Sequence, residues 1–241
     1  MGRWSREVAR RFLPWLATRP QACWLDVGRG TGALSREIAA SCRPERICGI
    51  ERSSGYLVAG GGQDVVQGDA GSLPLAADTF DYVVSGLVLN FLPDVPRALA
   101  EMRRVTRPEG TIAVYVWDYA DGMQMLRYFW RAAAEADSSG AEHDEGARFP
   151  ICRPEALQRA FVSAGLGAVR VEPIEAPAHF ANFDDYWAPF QRAQGPAAVY
   201  LSQLTSEGRQ ALRGRLEGSL PTNADGSIDL TLRAWAARGA N

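Results

Sequence analysis

Trp24-Leu25-Asp26-Val27-Gly28-Arg29-Gly30-Thr31-Gly32 holds the first instruction for the fold. A short apolar run ends in three glycines at alternate positions, and residues 31–40 then repeat apolar side chains at helical spacing. This predicts a buried parallel strand, a tight turn and a helix. Glycine there lets the backbone turn with positive φ and approach a ligand without a Cβ in the way. The helix start adds free N–H groups and the positive end of a dipole. Asp26, at the strand end, can accept hydrogen bonds from the loop and hold its shape. Glu51 follows Gly32 by nineteen residues, at the end of the next apolar run. A carboxylate there suits a ribose, because its oxygens accept from both hydroxyls. The loop alone leaves two cofactor classes open, since Gly28-Arg29-Gly30-Thr31-Gly32-Ala33 also satisfies the looser dinucleotide fingerprint.

Outward from this turn, strands and helices alternate. Trp4–Leu16 reads as a helix, Arg46–Ile50 as a second strand, 63–67 as a third and Phe80–Ser85 as a fourth. Val95–Val105 is a helix stopped by Arg107-Pro108-Glu109-Gly110, and Thr111–Trp117 is the fifth strand. Such an order implies an open, mostly parallel sheet with helices on both faces, an α/β class of Rossmann-like type. In the second half, 121–136 reads as an aromatic-rich helix, 138–146 as a polar loop and 154–164 as a helix. Residues 168–174 read as a strand, and 184–194 and 206–216 as helices. Ser227–Ala234 alternates polar and apolar residues, the pattern of a strand with one face on a core. The expectation is one domain over 1–241. Residues 1–118 form its cofactor-binding half, 119–150 and 180–222 are cap insertions, and 226–236 hold the last strand.

Composition removes several chemistries. All 26 Lys-plus-Arg positions are arginine, so no lysine amine is available for an imine or for a phosphate loop ending in Lys-Ser/Thr. Two histidines, His143 and His179, cannot make a three-histidine zinc site. A formal net charge of −2 lacks the basic field of a general nucleic-acid binder. No apolar run is long enough to span a bilayer. Cys23, Cys42, Cys48 and Cys152 form no Cys-x-x-Cys pair, and they read as buried thiols in a reducing, cytoplasmic setting.

Further motifs separate the cofactor classes. Gln67-Gly68-Asp69-Ala70-Gly71-Ser72-Leu73-Pro74 follows the third strand. An aspartate at a strand end can pair with an adenine amino group, while Ala70 offers its N–H to a ring nitrogen. Phe80-Asp81-Tyr82-Val83-Val84-Ser85 and Val105-Thr106-Arg107-Pro108-Glu109-Gly110-Thr111 come next, in order. From Trp24 to Trp117 the chain resembles the class I S-adenosylmethionine-dependent methyltransferases, in the small bacterial branch with the LDVGxGTG loop (methyltransferase type 11-like). The likeness continues more loosely through Asn182-Phe183-Asp184-Asp185-Tyr186-Trp187 and the last strand. It implies a seven-stranded sheet whose antiparallel last strand inserts between the fifth and sixth. It also implies that Gly28, Gly30 and Gly32 line the methionine portion of S-adenosylmethionine. Glu51 then binds the ribose, Asp69 and Ala70 hold the adenine, and Ser85, Gly86 and Leu87 lie beside the cofactor. Methyl transfer from a sulfonium is an in-line displacement that asks mainly for alignment and exclusion of water.

Two features depart from the resembled pattern. Arg29 stands where a small residue, often cysteine, is usual, and three fates stay open: contact with the cofactor carboxylate, crowding of the site, or solvent. The segment from Ser53 to Gly62 is short and ends in three glycines, which argues against a stable helix, at about 1 kcal/mol per glycine relative to alanine. No side chain declares itself a base. His179, Asn90 and Asp118 are the catalytic candidates, each with a bland alternative: packing, helix capping and a solvated turn. The aromatic residues Phe129, Trp130, Phe180, Phe183, Trp187 and Phe190 are core or the roof of an apolar substrate pocket. The paired carboxylates of a metal site are not evident, so metal independence and a small-molecule acceptor are expected. The oligomeric state is not readable. A nicotinamide-dependent oxidoreductase and a non-catalytic binding module are the rival functions. A nucleic-acid methyltransferase is disfavoured, because Ser85-Gly86-Leu87-Val88 stands where an Asn-Pro-Pro-Tyr-type motif would follow the fourth strand.

Overall fold

The computed structural model describes residues 2–60, 64–136, 140–192 and 195–241. They form two compact units, each built from separated stretches of chain: 2–116, 153–174 and 235–241 make the first, and 117–152 and 175–234 the second. A seven-stranded sheet has the order β3-β2-β1-β4-β5-β7-β6. Its strands are β1 (Cys23–Val27), β2 (Arg46–Glu51), β3 (Val65–Gln67), β4 (Phe80–Gly86), β5 (Thr106–Trp117), β6 (Gly167–Phe180) and β7 (Ile228–Ala240). The first five pair in parallel. β7 runs antiparallel between β5 and β6: Asn241 exchanges backbone hydrogen bonds with Glu109 and Gly110 at the start of β5, while Arg233 bonds Asp118 just past its end. The expected insertion of the last strand is therefore present.

In the first unit, the central strands are buried along nearly their whole length, as their continuous apolar runs require. Trp24 stacks on Tyr82 at 4.4 Å between ring centroids. Helix α1 (Gly2–Leu16) turns Val8, Phe12 and Leu16 inward at helical spacing, and Phe12 meets Tyr115 of β5 at 4.8 Å. Helix α2 (Ala33–Ser41) follows the glycine turn, and α3 (Ser54–Gly60) follows β2. Helix α4 (Val95–Val105) has the predicted boundaries. Asp94 caps it by accepting from the Arg97 N–H at 3.0 Å, and Arg103 and Arg104 complement the dipole at its end.

In the second unit, α5 (Gln124–Ala136) buries Met125, Phe129 and Trp130. After it come α6 (Gly140–His143) and α7 (Glu145–Arg148), while α8 (Pro154–Ser163) belongs to the first unit. Helices α9 (Phe183–Trp187), α10 (Pro196–Gln203) and α11 (Ser206–Ser219) complete the second unit. Phe129 stacks on Phe190 at 4.6 Å, and the Tyr186 hydroxyl donates to the Met125 carbonyl at 2.8 Å.

Several expectations need correction. A short helix does form after β2, because only Gly60 of the three glycines lies within α3; Gly61 and Gly62 lie outside the described residues, as does Gln63 at the expected start of β3. The polar stretch 138–146 contains α6 and the start of α7, with Asp144 capping the latter through the Gly146 N–H; Ser138 lies outside the described residues. The aromatic helix begins at Gln124 rather than Asp121. The helix read over 184–194 is α9 followed by a 3-10 turn, with Gln194 outside the described residues, and α10 was not anticipated. β6 continues past Ile174 despite Pro173 and Pro177; it is an edge strand, whose outer side tolerates prolines. All four cysteines are free, and burial pushes the Cys152 thiol up to about 12.

Asp81 ties the start of β4 to its neighbours. Its carboxylate accepts from the Cys23 N–H at 2.8 Å, from Arg19 at 2.6 Å and from Arg107 at 3.0 Å. Burial pushes its pKa upward, but these donors outweigh burial and hold it below the usual range. A lowered carboxyl stabilises the fold above its unfolded pKa and loses that contribution as pH falls. Asp81→Asn should therefore cost about 2 kcal/mol near neutral pH, with the gap to wild type closing on acidification; denaturant unfolding at several pH values measures both.

Candidate functional site

The site is built where β1 turns into α2, within the first unit. Gly28, Gly30 and Gly32 all sit in the left-handed region, with φ of 74°, 55° and 81°. A Cβ on Gly28 would stand 2.6 Å from Val88, so that residue must be glycine for space as well as for φ. Gly30 is the opposite case: nothing lies within 4 Å of its would-be Cβ, so the loop there faces open space. The Ile50 carbonyl anchors the turn by accepting from the N–H groups of both Gly28 (2.8 Å) and Arg29 (2.9 Å).

Two carboxylates flank the turn. Glu51 is buried, and its oxygens accept from the Gly30 N–H at 2.7 Å and the Ser53 N–H at 2.8 Å. It thus joins the glycine loop to the turn after β2, and each oxygen retains a lone pair for a hydroxyl. Asp26 is 1% exposed and accepts from the Ser35 hydroxyl of α2 at 2.6 Å. Desolvation by burial raises its pKa to about 6, against the lowering effects of the Ser35 hydrogen bond and the Arg29 charge.

Arg29 resolves one open question. Its side chain is half-buried and folds back across β2. Gly49 of β2 and Gly32 both leave room for it: a Cβ on Gly49 would stand 2.4 Å from Arg29 Cδ, and one on Gly32 2.8 Å from Nη2. The side chain therefore packs over the loop, not out into solvent.

Asp69 is exposed after β3. Its side chain accepts from the Gly71 N–H at 2.8 Å, and Ala70 beside it is buried. Ser85 is buried and spends its hydroxyl on the Val27 carbonyl at 2.7 Å, pinning β4 to the end of β1. Leu87 takes a left-handed φ of 62°, which costs a non-glycine residue about 1–2 kcal/mol; its N–H donates to the Tyr115 carbonyl at 2.8 Å. Tyr115 was not singled out by its sequence. A Cβ on Gly86 would stand 2.4 Å from its hydroxyl, and the glycine that ends β4 was the available signal.

The three catalytic candidates separate. Asn90 lies in the 3-10 turn 89–91 just after β4; its Nδ2 is buried and has no hydrogen-bond partner among the described residues. It is not a helix cap, since Asp94 caps α4. Asp118 and His179 belong to the second unit. Asp118 is 2% exposed and paired with Arg233 at 2.6 Å, so it is no solvated turn carboxylate. His179 is largely exposed, with Nδ1 2.8 Å from Asp229, whose other oxygen accepts from Asn223. The aromatic residues are buried core in the main, and Trp187 and Phe190 also line a cavity of about 550 Å³ with Arg209 and Arg213. Among the described residues no group of three or more His, Cys, Asp or Glu could hold a metal ion, and no helix is long and apolar enough to cross a membrane.

Residues 25–114 match a family described as a methyltransferase domain. The chain is 28% identical over 216 residues to the malonyl-[acyl-carrier protein] O-methyltransferase of Serratia marcescens, covering 88% of this chain and 77% of that protein. It is 31% identical over 110 residues to the trans-aconitate 2-methyltransferase of Deinococcus radiodurans, covering 45% of this chain and 43% of that protein. The YcgJ protein of Bacillus subtilis shares the fold, with a TM-score of 0.62 at 17% identity over 97% of each chain.

The buried Asp26 carboxyl carries a sign that can be checked. A carboxyl raised from 3.8 to about 6 makes the folded state hold a proton the unfolded state has lost, so stability falls as pH rises through that window. Asp26→Asn should therefore gain on wild type between about pH 4 and about pH 6, by up to about 3 kcal/mol. A pH-independent difference in unfolding free energy would place the carboxyl at its ordinary value.

Proposed function

This chain is a member of the class I S-adenosylmethionine-dependent methyltransferases, and we propose that it methylates a small-molecule acceptor by in-line displacement without a metal. The observation that carries the reading is the glycine cradle with Glu51 fixed against it by the Gly30 and Ser53 N–H groups. The residues present fit the cofactor. Open space lies over Gly30, an exposed aspartate follows β3, and a buried amide donor on Asn90 awaits an acceptor. Gly28, Gly30 and Gly32 would line the amino-acid end, Glu51 would accept from the ribose hydroxyls, and Asp69 with Ala70 would hold the adenine. Asp26 supports the loop through α2, and Ser85 and Leu87 shape the wall after β4.

The chemistry such a cofactor supplies is a methyl group already activated by its own sulfonium charge. The protein's share is alignment of the acceptor and exclusion of water, each a matter of geometry. Asn90 is the candidate for that alignment, because an unsatisfied buried donor costs about 1–3 kcal/mol unless a ligand meets it. Asp118, held by Arg233, is assigned a structural role, and so is the exposed His179. The relatives named for malonyl-[acyl-carrier protein] and trans-aconitate support an acceptor outside the nucleic acids. The nicotinamide reading draws no support from them, as both are methyltransferases.

Calorimetry of the folded chain with S-adenosylhomocysteine should give binding at micromolar concentrations or tighter, and no heat at saturation would overturn the assignment. Asn90→Ala should lower turnover by about tenfold to a hundredfold and leave thermal stability unchanged or improved, since it removes an unsatisfied amide. A loss of stability with unchanged turnover would assign Asn90 to packing.

A further inference from the structure

We propose that Arg29 is a specificity-determining residue whose guanidinium reads the carboxylate at the amino-acid end of the cofactor. The inference rests on the cofactor assignment above and starts from where the arginine is held. Its backbone lies between Gly28 and Gly30, two left-handed residues in the middle of the turn. Its stem crosses the bare Cα of Gly49, and its head lies on Gly32, where a Cβ would stand 2.8 Å from Nη2 and 2.9 Å from Cζ. Gly32 is the N-cap of α2, a helix of nine residues.

The guanidinium is therefore fixed at the positive end of a helix dipole, so two sources of positive potential coincide. Asp26 answers part of this charge, and Arg29 in turn lowers the Asp26 carboxyl against its burial. Asp26 itself is 1% exposed beneath the loop, while Gly30 opens to free space on the ligand side.

Within S-adenosylmethionine only one group gains from a fixed cation. The sulfonium and the ammonium are repelled by it, and the adenosine carries no negative charge. The carboxylate matches the planar fork of a guanidinium, which binds it through two parallel hydrogen bonds. A small residue at this position would leave the carboxylate to backbone N–H groups alone. Arg29 makes the charge of that end a requirement for tight binding in this chain.

The test compares two ligands that differ only in that carboxylate: S-adenosylhomocysteine and its decarboxylated amine, each titrated calorimetrically into the full chain. Wild type should prefer S-adenosylhomocysteine by about 10- to 100-fold. Arg29→Gln keeps the stem over Gly49 and removes the charge, and it should shrink that preference to within about threefold. 5′-Methylthioadenosine, which lacks the whole amino-acid end, should bind both proteins alike. An unchanged preference in Arg29→Gln would overturn the proposal, as would equal losses for all three ligands, which would make Arg29 a packing residue. If wild type binds none of the three, the cofactor assignment itself falls and the proposal falls with it. If Arg29→Gln does not fold, Arg29→Met, which also keeps a stem over Gly49 and lacks the charge, decides: a preference within about threefold upholds the proposal, and a preference equal to wild type overturns it.

Discussion

One carbonyl group organises the carboxyl edge of this sheet. The Ile50 oxygen accepts from the N–H groups of Gly28 and Arg29 together, so the chain leaving β1 is tied to β2 at the moment it begins to turn. Holding two consecutive N–H groups on one acceptor bends the backbone sharply, and a left-handed glycine at position 28 absorbs the bend. The next residue of β2 then takes up the third N–H: Glu51 receives Gly30. The carboxylate that suits a ribose is thus also a structural clamp on the loop beside it. Its orientation is set by the fold before any ligand arrives, which is the condition for tight binding without a large ordering cost.

The parallel half of the fold was legible because its signals are local. An apolar run bounded by glycines, a helix over Val95–Val105 that ends ahead of Pro108 and Gly110, and the spacing from Gly32 to Glu51 each report on a few neighbouring residues. The reading failed where local signals conflict. The strand read over 168–174 stops short, whereas β6 runs on through Pro177 to Phe180, because an edge strand tolerates prolines. Residues 138–146 looked like a loop because their composition is polar, and the short helix α7 exists because Asp144 caps it. The second unit owes its order to contacts between distant segments, such as the stacking of Phe129 on Phe190 and the hydrogen bond from the Tyr186 hydroxyl to the Met125 carbonyl. No window of sequence contains those pairs.

The same distinction separates the candidate residues. Positions in the glycine loop could be assigned roles from spacing alone. Asp118 could not, because its partner Arg233 lies 115 residues further along the chain. A carboxylate that is 2% exposed and ion-paired reads in sequence like any aspartate at a strand end. Burying such a pair is costly, and breaking it by removing one member costs about 3–5 kcal/mol. Asp118 therefore bears on the integrity of the second unit, and its position past β5 was a misleading cue. Asn90 is the reverse: nothing in its neighbours announced a buried amide without a partner.

The slot that holds Arg29 has a consequence for how such a sequence can change. Residue 49 must stay bare for as long as residue 29 carries a long side chain, because Cδ of the arginine occupies the space a Cβ would need. With a small residue at 29, the space against residue 49 opens for an alanine or serine on β2. An arginine in this conformation at 29 therefore requires glycine at 49. A side chain added at position 49 alone meets the arginine stem, so the two positions are coupled across the turn and the strand.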